Sequence, residues 1–381
     1  MTIDVVESLE RFRALGDQWN RLAVPFKTPL LRHEWFLACA ETFCPPGKLD
    51  ILIAQEGGEI VAIAPLVLNP LFGVRRLEIL GTRVLEELSG FLYADQESLV
   101  RLLGGVLSRK RPILFSGLLS DSPELKILKQ AGGSSSGYSQ SSASASPWIP
   151  VTTSWEQFYK NISSSWRSSL RRSQRRAEEM GSLQFEIVAP TPETVEPLLS
   201  EMFQVESAGW KARTGTALQT SAVLGKFFQT YALSTARLGM LRFAFLRIGG
   251  KAVAAQFLVV CAQRLWVLKV GFDETYSRCS PGILLMHKVI EHCFEKQYEA
   301  FELLGANESW LSIWKPQLHI HETYRLYPVS LLPLVSHAIE ISGHALGRVR
   351  TLMKKQQDGT PWRLIVKKAI QRLRRLQHPA L

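Results

Sequence analysis

Ser280-Pro281-Gly282 opens an apolar, helix-patterned run, PGILLMHKVIEH, directly after the strand-like LWVLKVGFDE. Serine suits an N-cap and proline the first helical position, where a missing N–H costs nothing. Gly282 removes side-chain bulk where the amides of a first turn point outward, and those amides with the positive helix end favour an anion. A well-capped core helix needs the same residues, so both readings stay open. Along LWVLKVGFDE a period of two puts Leu265, Val267, Lys269, Gly271 and Asp273 on one face. An amine and a carboxylate can meet there, as reacting groups or as a strand-end ion pair.

Trp210 and Lys211, in AGWK, put an aromatic beside a cation, which suits an acceptor-site wall or a helix–helix corner. His319 and His321 share a strand face, but no third ligand accompanies them, so they read as ordinary strand histidines and no metal is expected. Cys279 has no histidine partner in sequence and is not read as a nucleophile. Arg167, Arg171 and Arg175 recur every four residues, with Arg172 and Arg176 beside them: a solvated helix face, or a rim for a polyanion. No aromatics interleave with these arginines, which argues against nucleic acid as a partner.

The elements that must position these groups divide at a serine-rich stretch, SSSGYSQSSASAS, which has the composition of a flexible loop. Before it, ESLERFRALGDQWNRLA and HEWFLACAETF have helical spacing. LDILIAQEGGEIVAIAPLVL reads as two strands joined at Gly57-Gly58, and RRLEILG and PILFSGL as further strands. After it the expected order is β-α-α-β-β-β-α-β-α-β, preceded by the arginine-rich helix that stops at Gly181. MLRFAFLRIGG, KAVAAQFLVVCAQ and RLWVLKVGFDE form its antiparallel meander. The fold class is therefore α/β (α+β), with mixed, mostly antiparallel sheets flanked by helices. The expected units are residues 1–150, 151–330 and a helical tail, 331–381.

The chain has 381 residues and a net charge of +11. Residues 343–381 hold ten Lys/Arg against one Asp, so the positive charge belongs to segments rather than to the whole. Residues 361–377 form a basic amphipathic helix suited to an anionic membrane surface or to docking on the body of the protein. Five scattered cysteines fit a reducing compartment, and no signal peptide or spanning segment is evident. The expected location is the cytoplasm, peripheral to the inner membrane if the tail binds there.

VESAGWKARTGTAL, WVLKVGFDETYSRCSPGILL and LLGANESWLSIWK resemble the CelD-like branch of the GNAT acyltransferases, linked to cellulose and exopolysaccharide biosynthesis. The resemblance is specific over about residues 160–325 and architectural before them. Like the Fem-type aminoacyltransferases, such proteins carry tandem GNAT-like units. It implies that the backbone of Ser280, Gly282, Ile283 and Leu284, in a motif opened by Arg278, holds an acyl-CoA pyrophosphate. The chain departs from the usual Gln/Arg-x-x-Gly-x-Gly/Ala, with Pro281 and Ile283 at the glycine places.

The resemblance further implies Asp273 as general base, Lys269 as its orienting partner and Tyr276 as a proton donor to the leaving thiolate. Lys315 takes the place of an acid or clamp, and Trp210, Lys211 and Glu308 lie on the acceptor side. The implied reaction moves an acyl group from acyl-CoA, as co-substrate with no permanent cofactor, to an amine or hydroxyl of a polysaccharide or cell-envelope precursor. Two alternatives are an aminoacyl-tRNA-dependent Fem-like transferase and a catalytically silent adaptor at a membrane-bound polysaccharide synthase.

Overall fold

The computed structural model describes residues 1–71, 74–133, 137–209 and 221–328. Its first part runs β1 (Thr2–Val6), α1 (Leu9–Ala14), α2 (Gly16–Ala23), α3 (His33–Phe43), β2 (Ile51–Glu56), β3 (Glu59–Ala64), β4 (Leu66–Leu71) and β5 (Val74–Ile79). It continues with α4 (Thr82–Leu85), β6 (Leu92–Tyr93), α5 (Gln96–Ser108), β7 (Ile113–Leu119), α6 (Pro123–Gly133) and β8 (Gly137–Pro150). The single helix expected at the start is two, broken at Leu15. Gly57 and Gly58 both take positive φ, 60° and 88°, the turn that joins β2 to β3 without splaying them.

The second part runs α7 (Trp155–Asn161), α8 (Ser164–Glu178), β9 (Leu183–Val188), α9 (Val195–Ser207), α10 (Ala222–Arg237), β10 (Leu241–Ile248), β11 (Lys251–Cys261) and β12 (Arg264–Phe272). After a 3₁₀ turn at Glu274–Cys279 come α11 (Pro281–Glu295), β13 (Ala300–Glu302), a second 3₁₀ turn at Ser309–Trp314 and β14 (Gln317–Pro328). Ser163 starts α8 by accepting from the Trp166 N–H, and Leu170, Ser173 and Ala177 form its buried face. The chain leaves α8 through Gly181, at φ 152°, where a Cβ would stand 2.9 Å from the Gly249 nitrogen.

The strands form two sheets, β1-β2-β3-β6 and a ten-stranded one ordered β4-β5-β7-β14-β8-β13-β12-β11-β10-β9. The fold is thus mixed α/β with helices on the sheet faces, as expected. The serine-rich stretch is a correction. It is not a flexible loop: from Gly137 it is β8, hydrogen-bonded along its length to β14 and at its end to β13. Cross-strand partners decide strand formation where local composition favours a loop. β14 pairs with β7 on its other edge, so residues from both expected units share one sheet.

One face of β10–β12 packs against α9 and α10, and α10 meets α3 of the first part. Trp35 lies edge-on to Phe227 and Tyr231, each at 5.2 Å. The other face packs against α8 and α11 through Leu265, Val267, Leu285 and Val289. No helix among the described residues is long and apolar enough to cross a membrane. The tail, with residues 361–377, lies outside the described residues.

A candidate active site where two parallel strands part

β12 is paired with β11 along its length, but with β13 only from Arg264 to Trp266, in parallel. β13 then ends: the Leu303 N–H donates to the Pro147 carbonyl, and Leu304 and Gly305 both turn left-handed, at φ 55° and 58°. The far half of β12 is therefore not paired with β13, and two adjoining cavities lie where the two strands part. The larger, about 410 Å³, is lined by Glu206, Gln256, Gly271, Phe272, Gly282 and Ile283 among others. The smaller, about 160 Å³, is lined by Glu87, Lys269, Leu303 and Gly305. Val270, Met286, Glu308 and Trp310 wall both.

The expected strand face is broken by a bulge. Phe257 pairs with Lys269 but Leu258 pairs with Val267, so Leu268 is an extra residue that shifts the side-chain phase. Leu265 and Val267 face α11, whereas Lys269 turns to α9 and α10. There its Nζ lies 3.3 Å from the buried carboxylate of Glu206 and 5.9 Å from the centre of the Phe228 ring. Gly271 follows on the same side, where a Cβ would stand 2.7 Å from the Glu206 Cα. The expected Lys269–Asp273 pairing is corrected: the partner of Lys269 is Glu206.

Asp273 is 4 % exposed and its carboxylate is already engaged. Lys251 Nζ donates to Oδ2 at 2.8 Å, and the Thr275 N–H and Oγ1 donate to Oδ1 at 3.0 and 2.6 Å. Burial alone raises its pKa, but the Lys251 and Thr275 hydrogen bonds outweigh this and hold it below the ordinary value. It lines neither cavity, and a base must offer a free lone pair to the acceptor's proton. Asp273 thus caps the 3₁₀ turn instead of serving the gap. Tyr276 stands in the same cluster, its ring 5.3 Å from Lys251 Nζ. Asp273→Asn is expected to leave kcat within about threefold of native while lowering stability by about 1–2 kcal/mol in chemical denaturation.

The start of α11 also departs from expectation. Ser280 is left-handed, at φ 50° and ψ 56°, and makes no side-chain cap. Its N–H donates to Ser277, and its carbonyl accepts both the Ile283 and the Leu284 N–H at 3.1 Å. Pro281 has no N–H. Of the four backbone sites expected to hold a diphosphate, three amides are consumed internally. Among the described residues, Gly282 alone keeps an unpartnered amide in this turn, and it lines the larger cavity. Leu284 faces the groove between α8 and α11. Arg278 is exposed, and its carbonyl accepts Arg176 Nη1 at 3.2 Å.

Glu308 stands at the mouth of both cavities and accepts the Trp310 indole N–H at 2.6 Å. Lys315 is exposed beyond the second 3₁₀ turn and lines neither. His319 donates its Nε2–H to the Glu302 carboxylate at 3.0 Å and stacks on Trp148. Trp210 and Lys211 lie outside the described residues.

Sequence reasoning missed three groups at the gap. Glu206 had a signal: with Val195, Leu199, Met202 and Phe203 it completes one helical stripe, so it is an acid on an apolar face. Gln256, 2 % exposed, reaches the larger cavity with an unpartnered Oε1. Glu87, in the loop after α4, had no periodic signal. Its Oε2 accepts the Gly305 N–H at 3.2 Å. Burial pushes its pKa up to about 7; the Gly305 bond and the Lys269 charge oppose the shift and the Glu86 charge adds to it. Gly117, at φ 81°, holds this loop against β7: its carbonyl accepts the Ser89 N–H at 2.9 Å.

Residues 164–312 match the model of the acetyltransferase (GNAT) domain. The matched residues take in α8–α11, β9–β13 and most of the walls of both cavities, while Glu87 comes from outside them. No curated protein matches the chain in sequence. Among solved structures the chain is similar in fold to FemX, at 11 % identity and a TM-score of 0.56, over 89 % of this chain and 100 % of that one. L-PGS from Bacillus licheniformis matches at 14 % and 0.53, over 87 % and 96 %. A conserved protein from Bacteroides thetaiotaomicron matches at 11 % and 0.53, over 85 % and 99 %.

Proposed function

We propose that the chain transfers an acyl group from acyl-CoA to an amine or hydroxyl of a polysaccharide or cell-envelope precursor, as its CelD-like motifs suggest, with Glu87 as general base. The observation that carries this reading is geometric: the half-buried Glu87 carboxyl lines the smaller cavity beside Lys269, where its surroundings push its pKa up to about 7. Attack of the acceptor oxygen or nitrogen on the thioester carbonyl forms the new acyl bond. The C–S bond breaks, Glu87 takes the acceptor's proton, and that proton returns to the leaving thiolate. Lys269 offsets negative charge in the gap, and the Gly282 amide offers the donor one hydrogen bond. The basic tail, residues 361–377, supplies an address at an anionic membrane surface.

A second reading exchanges the donor for aminoacyl-tRNA. It is favoured by the three consumed amides at α11 and by Arg171, Arg172 and Arg175, which are exposed on α8 with no acidic partner among the described residues. Calorimetry with acetyl-CoA separates the two. Micromolar binding that changes less than about threefold between 50 and 200 mM salt supports the CoA donor. No CoA binding, with affinity for tRNA that falls by about 100-fold or more over that range, supports the other.

A further inference from the structure

A third cavity, about 360 Å³, lies on the far side of the segment that carries Glu87. Glu87 faces the gap between β12 and β13, while Leu88, Ser89 and Gly90 line this other space. Its size is at the lower end for small-molecule sites, roughly 300–1,000 Å³. Phe26, Tyr93 and Trp266 supply aromatic wall, with Phe26 and Tyr93 edge to face at 5.2 Å.

The charges on this wall do not balance. Arg264 is bound to Glu302 at 2.8 Å, and Lys27 lies 3.7 Å from Glu299. Glu124 and Asp121, which also line the cavity, have no cationic partner among the described residues. Glu124 is 6 % exposed, and its carboxylate accepts from its own backbone N–H, from Ser122 and from the Tyr93 hydroxyl at a long 3.4 Å, all of them neutral donors. Burial raises its pKa, the mark of a carboxylate lacking a counter-charge. Gly90 makes room for it: a Cβ there would stand 3.0 Å from Glu124 Oε1. Trp266, 4 % exposed, contributes an indole N–H with no partner, so the cavity offers an unmet donor as well as two acids without a cationic partner.

We propose that this cavity binds a small molecule bearing a primary ammonium group beside oxygen acceptors, an amino sugar or an amino acid, with the ammonium on Glu124 and Asp121. The aromatic wall adds cation–π attraction, and a neutral polyol has nothing to offer the two acids that water lacks. The assignment does not rest on the transfer reading, because it is tested by binding alone.

The full chain is melted with D-glucosamine, L-alanine or D-glucose at millimolar concentration, and affinities are measured by calorimetry. A rise in melting temperature with either amine and none with glucose supports the site, and the amine that acts identifies the source. Glu124→Gln is expected to weaken binding by about tenfold or more, and Asp121→Asn, at the exposed rim, by a few-fold with unchanged melting of the free protein. Should Glu124→Gln fail to fold, Asp121→Asn carries the test. No shift with either amine, an equal shift with glucose, or amine binding undiminished in these variants overturns the proposal.

Discussion

Replacing Glu87 with Gln is expected to lower kcat by about 100- to 10,000-fold, the range of a lost general base, with KM changed little. The variant keeps the shape and the Gly305 hydrogen-bond acceptor but removes the group that takes the proton. With the carboxyl pushed up to about 7, the free base forms as pH rises through that value. Turnover of the native chain should therefore climb between about pH 6 and 8, and the Gln variant should be flat there.

Stability moves the opposite way. The folded value of about 7 lies above the ordinary 4.5, so folding prefers the protonated acid. That preference is fully present below about pH 4.5 and is lost as pH rises through 7, which leaves the native chain about 1–3 kcal/mol less stable at pH 8. Glu87→Gln should then melt higher than native at pH 8 and alike near pH 4. A variant that lost turnover and stability together at pH 8 would point to a structural role and remove Glu87 from the mechanism.

The part of this site legible in the sequence is the part built by local periodicity. The meander of β10–β12 follows from alternating apolar runs separated by Gly249-Gly250 and a short polar break, and α11 follows from Ser280-Pro281 and the apolar run behind them. Glu206 was readable as an acid on an apolar helix stripe. What escaped depends on interactions far apart in the chain, or on single-residue phase. Leu268 is apolar like its neighbours, so nothing marks it as the bulge that moves Lys269 away from Asp273. Ser280 has the right side chain for a cap yet makes none, and its carbonyl takes the Leu284 amide as the helix's ordinary first bond and the Ile283 amide as well. β8 is a strand because β14 and β13 flank it, not because of its serines. Glu87 reaches the gap only because β7, some thirty residues later, clamps its loop.

That clamp supplies the second large effect. Gly117→Ala is expected to reduce kcat by about 100-fold or more and to cost about 1–3 kcal/mol in stability. A Cβ on Gly117 would lie 2.4 Å from the Glu87 carbonyl oxygen and 2.9 Å from the Ser89 nitrogen, both backbone atoms. The residue also sits at φ 81°, which L side chains rarely adopt. The loop must retreat, and the Glu87 carboxylate goes with it. Gly105→Ala is the control, because its Cβ would meet an atom as close, at 2.5 Å, but that atom is the Cδ1 tip of Ile3. A side-chain tip moves by rotating, and alanine favours the α5 helix by about 1 kcal/mol over glycine, so Gly105→Ala should melt within a few degrees of native and keep full turnover. Equal behaviour of the two variants, in melting and in kcat, would show that the 86–89 loop does not depend on Gly117 and that the carboxylate in the gap is held by something else.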